Sequence, residues 1–273
     1  MEQQPPFSGS GALPALGRLY GEYVDTFREA DGRLPEMMRL KREHTAFVTR
    51  NAVLVADGEA FDGPTREAAV AAALLHDTGR YEQLRRYNTF KDADSVDHAV
   101  LSHDIVKEKG WLREAGVGNH EAVLAAVLYH NRRDLPEGLD AITLAASQTV
   151  RDADKLDIFR VLEDQVEHTD WQSGSRAFWS LPVSEPPNRA VVECIEARRP
   201  VAYGDIKSLA DFVLIQVGWM VSGLAYATSR RLCAERGHLD YRRRFLRKIA
   251  GGADAERLCD MAEEELDTAK EGQ

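Results

Sequence analysis

The feature that most constrains the fold is an uninterrupted apolar run, Ala68 to Leu75, that ends in two adjacent polar residues, His76 and Asp77. A helix that is apolar on every side belongs in the interior of a protein. An imidazole beside a carboxylate at the end of such a helix can bind a metal ion if other helices supply further ligands. The run therefore predicts a buried central helix that ends near a metal site.

The rest of the chain also has helical periodicity. Apolar residues recur at three- and four-residue spacing over 16–30, 35–56, 95–112, 121–130 and 146–165, and again after residue 188. No stretch has the sustained two-residue alternation of a sheet strand, and no internal repeat is visible. The sequence therefore predicts an all-α protein.

Composition changes divide the chain into three predicted parts. Residues 1–13 are rich in Pro, Gly and Ser and are expected to be a flexible tail. Residues 14–167 are expected to form the helical core, and residues 168–273 an irregular loop followed by C-terminal helices that pack on this core. The aromatic side chains of the Trp171–Trp179 segment either pin that loop to the bundle, which is the favoured interpretation, or stack on a ligand.

Charge and cysteine content limit the class of protein. The net charge of -10 argues against general nucleic-acid binding, which requires a basic surface. Three widely spaced cysteines, Cys194, Cys233 and Cys259, are typical of reduced structural thiols in the cytoplasm. No signal peptide is visible at the N-terminus, and the most apolar run, Phe212–Ala225, is too short to span about 30 Å of hydrocarbon. We therefore expect a cytoplasmic protein with no membrane partner.

Further candidate ligands stand on the other predicted helices. They are His44, His98, His130 and Asp154. Each has a structural explanation when taken alone, because a single His on an apolar face is usually a core residue, and Asp154 could pair with Arg151 or Lys155. A buried carboxylate nevertheless requires a cation or several donors. Mixed nitrogen and oxygen ligands from several helices suit Mn, Fe, Co, Ni or Zn better than Mg.

The same residues carry a family resemblance. His44, the His76–Asp77 pair and Asp154, with the local segments KREHTAFV, LLHDTGR and VRDADKLD, resemble the H…HD…D signature of the HD-domain metal-dependent phosphohydrolase superfamily. The resemblance covers about residues 36–165. The segment GRYEQLRRYNTFKDADSVDHA is similar to an uncharacterised bacterial branch of this superfamily. The resemblance implies an HD-domain helical bundle with extra C-terminal helices.

The resemblance also implies a ligand set for one or two divalent transition-metal ions. The ligands of the first ion would be His44, His76, Asp77 and Asp154. Branches with two ions add two histidines, whose order His98 and His130 match, and the aspartate of the HD pair then bridges the ions. Two alternatives stay open, namely Asp152 in place of Asp154 and His103 in place of His98.

The implied activity is hydrolysis of a phosphate ester of a small metabolite, with a nucleotide favoured, by metal-activated water. Asp77 and Arg80 are the expected catalytic residues. Substrate-binding cations are expected at Arg80, Lys41, Lys155 and Arg132. The partners would be this phosphorylated substrate and, as an open option, a second copy of the chain. The His-His pair and GYP motif of the cyclic-dinucleotide phosphodiesterases are missing, so their substrate is not implied.

Two competing functions remain open on the sequence. Some proteins that resemble this superfamily hold two irons on the same six ligands and cleave a C–P or C–C bond with dioxygen. The phosphonate-cleaving branch has a further His where this chain has Arg80, whereas the inositol-cleaving branch does not need one. The other competitor is a non-catalytic, metal-stabilised sensor, which the complete ligand set disfavours.

Overall fold

The computed structural model describes residues 10–168, 181–183, 185–249 and 252–271, so the Trp171–Trp179 segment lies outside the described residues. Within them the chain is built from helices and contains no strand, which confirms the all-α prediction. The α-helices are α1 (Ala12–Asp25), α2 (Glu36–Gly58), α3 (Gly63–Leu75), α4 (Gly79–Tyr87), α5 (His98–Lys109), α6 (Trp111–Ala115), α7 (His120–Tyr129), α8 (Ala141–His168), α9 (Arg189–Glu196), α10 (Leu209–Gly218), α11 (Ala227–Glu235), α12 (His238–Ile249) and α13 (Ala253–Glu271).

The chain forms two compact units, Met1–Asp154 and Lys155–Gln273, and α8 has residues in both. The division at residue 168, expected from composition, stays a prediction. None of the helices in the described part of the chain combines the length and the apolar character that crossing a bilayer requires.

Helix α3 is the centre of the first unit. Every side chain from Ala68 to Leu75 is fully buried, which confirms the predicted central helix. The helix begins where Asp62 accepts a hydrogen bond of 2.8 Å from the backbone N–H of Thr65, as an N-cap should. It packs against α1, α2 and α7, because its many alanines allow these neighbours to approach closely. Its C-terminal end therefore lies inside the unit.

A glycine brings the segment after α3 against α5. The backbone N–H of Gly79 donates to Ser102 Oγ at 2.8 Å. A Cβ atom at Gly79 would lie 2.7 Å from the backbone nitrogen of Ser102 and 2.8 Å from the carbonyl oxygen of His98. Only glycine allows this approach without a shift of backbone. The Asp77–Arg80 turn consequently lies next to the first turn of α5.

In the second unit, the apolar run 212–225 is not one continuous helix. Helix α10 passes into a π-helical turn, Trp219–Gly223, and the chain then becomes extended before α11 begins. Three cationic side chains donate hydrogen bonds to backbone carbonyl oxygens at this break. Arg198 donates to Val221 at 3.1 Å, Lys155 to Gly223 at 2.8 Å and Arg230 to Leu224 at 2.8 Å. These bonds satisfy carbonyl groups that lose their helical partners where the helix ends.

The three cysteines are free thiols, as the sequence predicts. Burial raises the pKa of Cys233 to about 12 and the pKa of Cys259 to about 11. Both thiols therefore stay protonated near neutral pH, which makes them poor nucleophiles.

Candidate metal centre

The six predicted ligands come from five helices or helix ends of the first unit. His44 lies within α2, His76 is the C-cap of α3, Asp77 follows it directly, His98 is the first residue of α5, His130 is the C-cap of α7, and Asp154 lies within α8. Helix ends thus supply most of the set. Since α3 is buried from Ala68 to Leu75, its C-terminal end places Asp77 among the other ligands.

The carboxylate of Asp77 faces two different pairs of histidines. Its Oδ2 lies 3.7 Å from the Nε2 atoms of both His44 and His76. Its Oδ1 lies 3.5 Å from His98 Nε2 and 3.9 Å from His130 Nε2. In each of the two resulting groups, every ligand atom lies within 4.8 Å of the others. Asp77 is therefore placed to bridge two neighbouring cations.

We call the group His44, His76, Asp77 and Asp154 the first position, and the group Asp77, His98 and His130 the second position. Asp154 joins the first position through its Oδ1, which lies 3.1 Å from His44 Nε2. This contact favours Asp154 over Asp152 as the ligand from α8. The side chain of Asp154 is 21% exposed, whereas that of Asp77 is 4% exposed. Asp154 is therefore the more accessible of these two carboxylates.

Hydrogen bonds fix the tautomers of two of these histidines. Nδ1 of His76 lies 2.7 Å from the carbonyl oxygen of Ala73, and Nδ1 of His130 lies 2.7 Å from that of Val127. A carbonyl oxygen only accepts, so Nδ1 carries the proton in both rings and the neutral ring has an unprotonated Nε2. The Nε2 atom of His76 is buried and has no hydrogen-bond partner. A buried, unpaired acceptor of this kind is what a metal ion would satisfy.

The same argument applies to His98, whose Nδ1 lies 2.6 Å from a carboxylate oxygen of Asp92. His98 and His130 then direct unprotonated Nε2 atoms at each other across 3.0 Å. Two lone pairs this close require a shared proton or a cation. A transition-metal ion held by both nitrogens would remove this conflict, since imidazole nitrogen is a common ligand of such ions. The residues of the second position therefore fit a transition-metal ion.

The electrostatic environment keeps Asp77, His76 and His130 in the protonation states that metal binding requires. Burial by itself raises the pKa of Asp77, but Lys41, His76 and Arg80 outweigh it and hold this pKa well below its ordinary value. Burial lowers the pKa of His130 to about 3 and also lowers the pKa of His76. At neutral pH the carboxylate is therefore ionised and these two imidazoles are neutral.

Two cations flank Asp77. Lys41 Nζ donates to Asp77 Oδ2 at 2.7 Å, and Arg80 Nε lies 3.4 Å from Asp77 Oδ1. Arg80 Nη1 also donates to the carbonyl oxygen of Phe90 at 2.5 Å and to Asp92 Oδ1 at 2.9 Å. Both cations lie over the Phe90 ring, at 5.6 Å for Lys41 and 5.8 Å for Arg80. Arg80 is therefore held firmly beside the bridging carboxylate.

The other predicted substrate cations have partners elsewhere. Arg132 Nη1 lies 3.0 Å from Asp97 Oδ2 and is partly exposed. Lys155 Nζ donates to the Gly223 carbonyl. Their roles in substrate binding stay predictions.

His103, the alternative to His98, pairs with the neighbouring Asp104 at 2.8 Å. His98 instead has its Nε2 in the group around Asp77. The structure thus brings together the six ligands of the principal interpretation, with Lys41 and Arg80 beside them. Their binding of metal stays a prediction.

Asp92 is a site residue that the sequence did not predict. This residue begins a short 3₁₀ turn, Asp92–Asp94, between α4 and α5. It accepts hydrogen bonds from His98, Arg80 and Gln83. In the sequence it stands in the polar segment FKDAD, which is typical of a solvated loop. Its position six residues before His98 is the one feature of the sequence that could have indicated a contact with this histidine.

Comparison with known proteins agrees with this geometry. Residues 42–158 match the family model described as "HD domain". The matched segment includes all six ligands of the first and second positions. No curated protein and no solved structure is significantly similar to the chain. Residues 42–158 therefore form an HD domain, which supports the resemblance to the HD-domain metal-dependent phosphohydrolase superfamily.

Proposed function

We propose that this protein is a metal-dependent hydrolase that cleaves a phosphate ester of a small metabolite, with a nucleotide as the favoured substrate. One observation carries the proposal: Asp77 directs its two carboxylate oxygens to two different histidine pairs. Divalent ions bound there would supply a water of lowered pKa and neutralise charge on phosphoryl oxygens. The HD domain over residues 42–158 supports hydrolase-type chemistry.

The donor set defines which ions suit the centre. Four imidazoles and two carboxylates form the combined set, and imidazole nitrogen suits Mn, Fe, Co, Ni and Zn better than Mg. The pKa of Asp77 and the pKa of Asp154 both lie below their ordinary values, because neighbouring cations and imidazoles outweigh the effect of burial. Both residues therefore stay ionised at neutral pH, and they serve as ligands and hydrogen-bond acceptors rather than as acids.

Arg80 is the residue best placed to hold the phosphate. Its Nη1 is committed to Phe90, Asp92 and Gln83, which fixes the guanidinium plane. Its Nε is buried and has no hydrogen-bond partner, although it lies 3.4 Å from Asp77 Oδ1. This N–H group can therefore donate to a phosphoryl oxygen held beside the bridging carboxylate.

Lys41 supplies a second positive charge on the opposite oxygen of Asp77. An ammonium group has three donors, so Lys41 can bind a phosphoryl oxygen while it keeps its contact with Asp77. Phe90 covers both cations with its ring and reduces their exposure to water. Lys41, Arg80 and the metal positions together favour a compact, strongly anionic substrate group. Arg132 and Lys155 are less suited to this task because of their other partners.

The experiment that tests the proposal measures metal content and phosphate release together. Protein purified without chelator is analysed by mass spectrometry for Mn, Fe, Co, Ni and Zn, and phosphate release is then screened over nucleotides and phosphodiesters. We expect about two ions per chain and metal-dependent release of phosphate, both lost in Asp77→Ala. His103→Ala is the matched control, because this histidine lies on α5 but pairs with Asp104.

The outcomes separate the competing functions. Two equivalents of iron with consumption of dioxygen, and no phosphate release, would replace the hydrolase proposal by an oxygenase that cleaves a C–P or C–C bond. Bound metal with neither activity would indicate a metal-stabilised sensor. A protein that binds no metal even after reconstitution would overturn the proposal.

A further inference from the structure

A carboxylate outside the ligand set connects the second position to the proposed phosphate-binding cation. Asp92 Oδ2 accepts a hydrogen bond of 2.6 Å from His98 Nδ1. Asp92 Oδ1 accepts hydrogen bonds of 2.9 Å from Arg80 Nη1 and from Gln83 Nε2. Asp92 is only partly buried, with 33% of its side chain exposed. It therefore bonds a proposed metal ligand through one oxygen and a proposed substrate ligand through the other.

The orientation of the Gln83 amide shows that Oδ1 of Asp92 accepts hydrogen bonds. Gln83 is fully buried. Its Nε2 donates to Ser95 Oγ at 2.9 Å and to the Val96 carbonyl at 3.0 Å, besides Asp92. Its Oε1 accepts from Arg80 Nη1 at 2.8 Å. Since a carbonyl oxygen cannot donate, the amide nitrogen must face Val96 and Asp92. The amide of Gln83 is thereby fixed as a donor to Asp92.

These contacts determine the tautomer of His98. An ionised carboxylate only accepts, so Nδ1 of His98 carries the proton and a neutral ring directs an unprotonated Nε2 at His130 and Asp77. A histidine that binds a metal through one ring nitrogen commonly donates its other N–H to a carboxylate, which orients the ring and raises its basicity. His130 and His76 obtain the same tautomer from backbone carbonyls. His98 obtains it from a side chain that mutation can change.

We propose that Asp92 is the positioning residue of the second position, holding His98 as the Nδ1–H tautomer and orienting the Arg80 guanidinium at the same time. This inference rests on the two-position arrangement of the proposed function. Binding of an ion at Asp77, His98 and His130 depends on Asp92. Binding at the first position does not, because the described hydrogen bonds of the Asp92 side chain go to His98, Arg80 and Gln83 and to no ligand of that position.

The substitution Asp92→Asn tests the tautomer with almost no change of shape. If the asparagine oxygen faces Arg80 and Gln83, its NH2 group faces His98 Nδ1 and moves the ring proton to Nε2, which blocks metal binding there. If the oxygen faces His98, the NH2 group opposes the donors of Arg80 and Gln83. Neither orientation satisfies all three partners. The variant should therefore lose affinity at the second position alone.

Asp94→Asn is the matched control. Asp94 lies in the same 3₁₀ turn, carries the same charge and pairs only with Lys91, at 3.0 Å, among its described ion pairs. Metal titration followed by mass spectrometry should give two ions for the wild type and for Asp94→Asn. We expect one tightly bound ion in Asp92→Asn, with affinity for the second ion reduced about 10- to 100-fold. Two ions bound with wild-type affinity in Asp92→Asn would overturn the inference.

A second measurement needs neither metal nor activity. Nitrogen-15 NMR of the imidazole groups in the metal-free wild type should show His98 protonated at Nδ1, with its signals assigned from a His98→Gln variant. Asp92→Asn should change this signature, whereas Asp94→Asn should not. A wild-type His98 protonated at Nε2 alone would overturn the inference even if the protein hydrolyses phosphate esters. If the wild type shows the expected His98 tautomer but hydrolyses no phosphate ester, the proposed function is overturned instead.

Discussion

The side-chain amide of Asn51 donates a hydrogen bond of 3.1 Å to the backbone carbonyl of Ala153. Asn51 stands two turns after His44 on α2, and Ala153 directly precedes Asp154 on α8. This buried bond therefore joins the two helices next to the contact between His44 Nε2 and Asp154 Oδ1. The amide thus joins the two helices beside the place where a histidine and a carboxylate 110 residues apart in the numbering meet in the first position.

Replacement of Asn51 should weaken both the fold and the first position. Asn51→Ala removes a buried hydrogen bond and leaves a small cavity, so we expect a loss of about 1–3 kcal/mol in the free energy of unfolding. Metal affinity at the first position should fall because α2 and α8 lose their register. Urea denaturation and metal titration measure the two effects. Leu54→Ala on the same helix, whose side chain is largely exposed, should change neither by a comparable amount.

A side chain at Gly79 should separate α4 from α5. In Gly79→Ala the new Cβ meets backbone atoms of Ser102 and His98 at 2.7 and 2.8 Å, so the backbone must move. We expect a destabilisation of about 1–3 kcal/mol, with weaker metal binding at the second position, since His98 is displaced. Gly21→Ala in α1 is the control, because nothing lies within 4 Å of its added Cβ. That variant should instead gain up to about 1 kcal/mol, and an equal loss in both variants would contradict the packing argument.

Stability of the metal-free protein should fall as the pH decreases below about 6.5. Burial lowers the pKa of His130 to about 3, whereas an unfolded histidine titrates near 6.5. Between these values the unfolded state binds the additional proton, so stability rises with pH across that window and is lost on acidification. Urea denaturation at pH 7, 6 and 5 measures the slope. In His130→Gln the slope should be smaller, and an unchanged slope would exclude His130 as its source.

Arg80 should contribute to phosphate binding more than to the fold. In Arg80→Gln the proposed donor to the phosphoryl oxygen is lost, and we expect activity on the best substrate to fall about 100-fold. Metal content should remain near the wild-type value, because Arg80 is not a ligand. Arg85→Gln is the control on the same helix, since Arg85 pairs with Glu82 and is mostly exposed. An activity in Arg80→Gln equal to that of the control would remove Arg80 from the proposed site.

A buried arginine should dominate the stability of the second unit. Arg242 is fully buried and donates to Gln216 Oε1 at 2.8 Å, to Glu163 Oε1 at 2.7 Å and to the Phe159 carbonyl at 2.8 Å. Arg242→Ala leaves these acceptors without their donor, so we expect a loss of about 3–5 kcal/mol in thermal or urea denaturation. Arg244→Ala, an exposed position on α12, should cost less than 1 kcal/mol.

Local signals in the sequence were sufficient to predict the helices and to identify candidate ligands. An eight-residue run without a polar side chain can only be placed in the interior, and Ala68–Leu75 is fully buried. His98 and His103 lie five positions apart on one helix and point in different directions, so helix geometry left open which of them faces the site, and the family resemblance favoured His98. The spacing of the remaining ligands resembles a known signature. The all-α prediction was confirmed because it depends on the order of residues within each helix, whereas the roles of the candidate ligands stay predictions.

Contacts between elements are not encoded in such local patterns. Asp92 stands in a polar loop, where a solvated carboxylate and one that orients a buried histidine have the same local sequence. Lys155 adjoins Asp154 in the chain, yet its ammonium bonds the Gly223 carbonyl. A charged side chain extends several ångströms from its helix, so the neighbouring element decides which partner it meets.

The sequence by itself therefore determined an all-α chain, a buried α3 and six candidate ligands. Only the tertiary structure decided that one oxygen of Asp77 faces His44 and His76 while the other faces His98 and His130. The reason is physical: periodicity records which face of a helix avoids water, whereas the partners across that face depend on how close the helices come. At Gly79 that distance is set by the absence of a single Cβ atom.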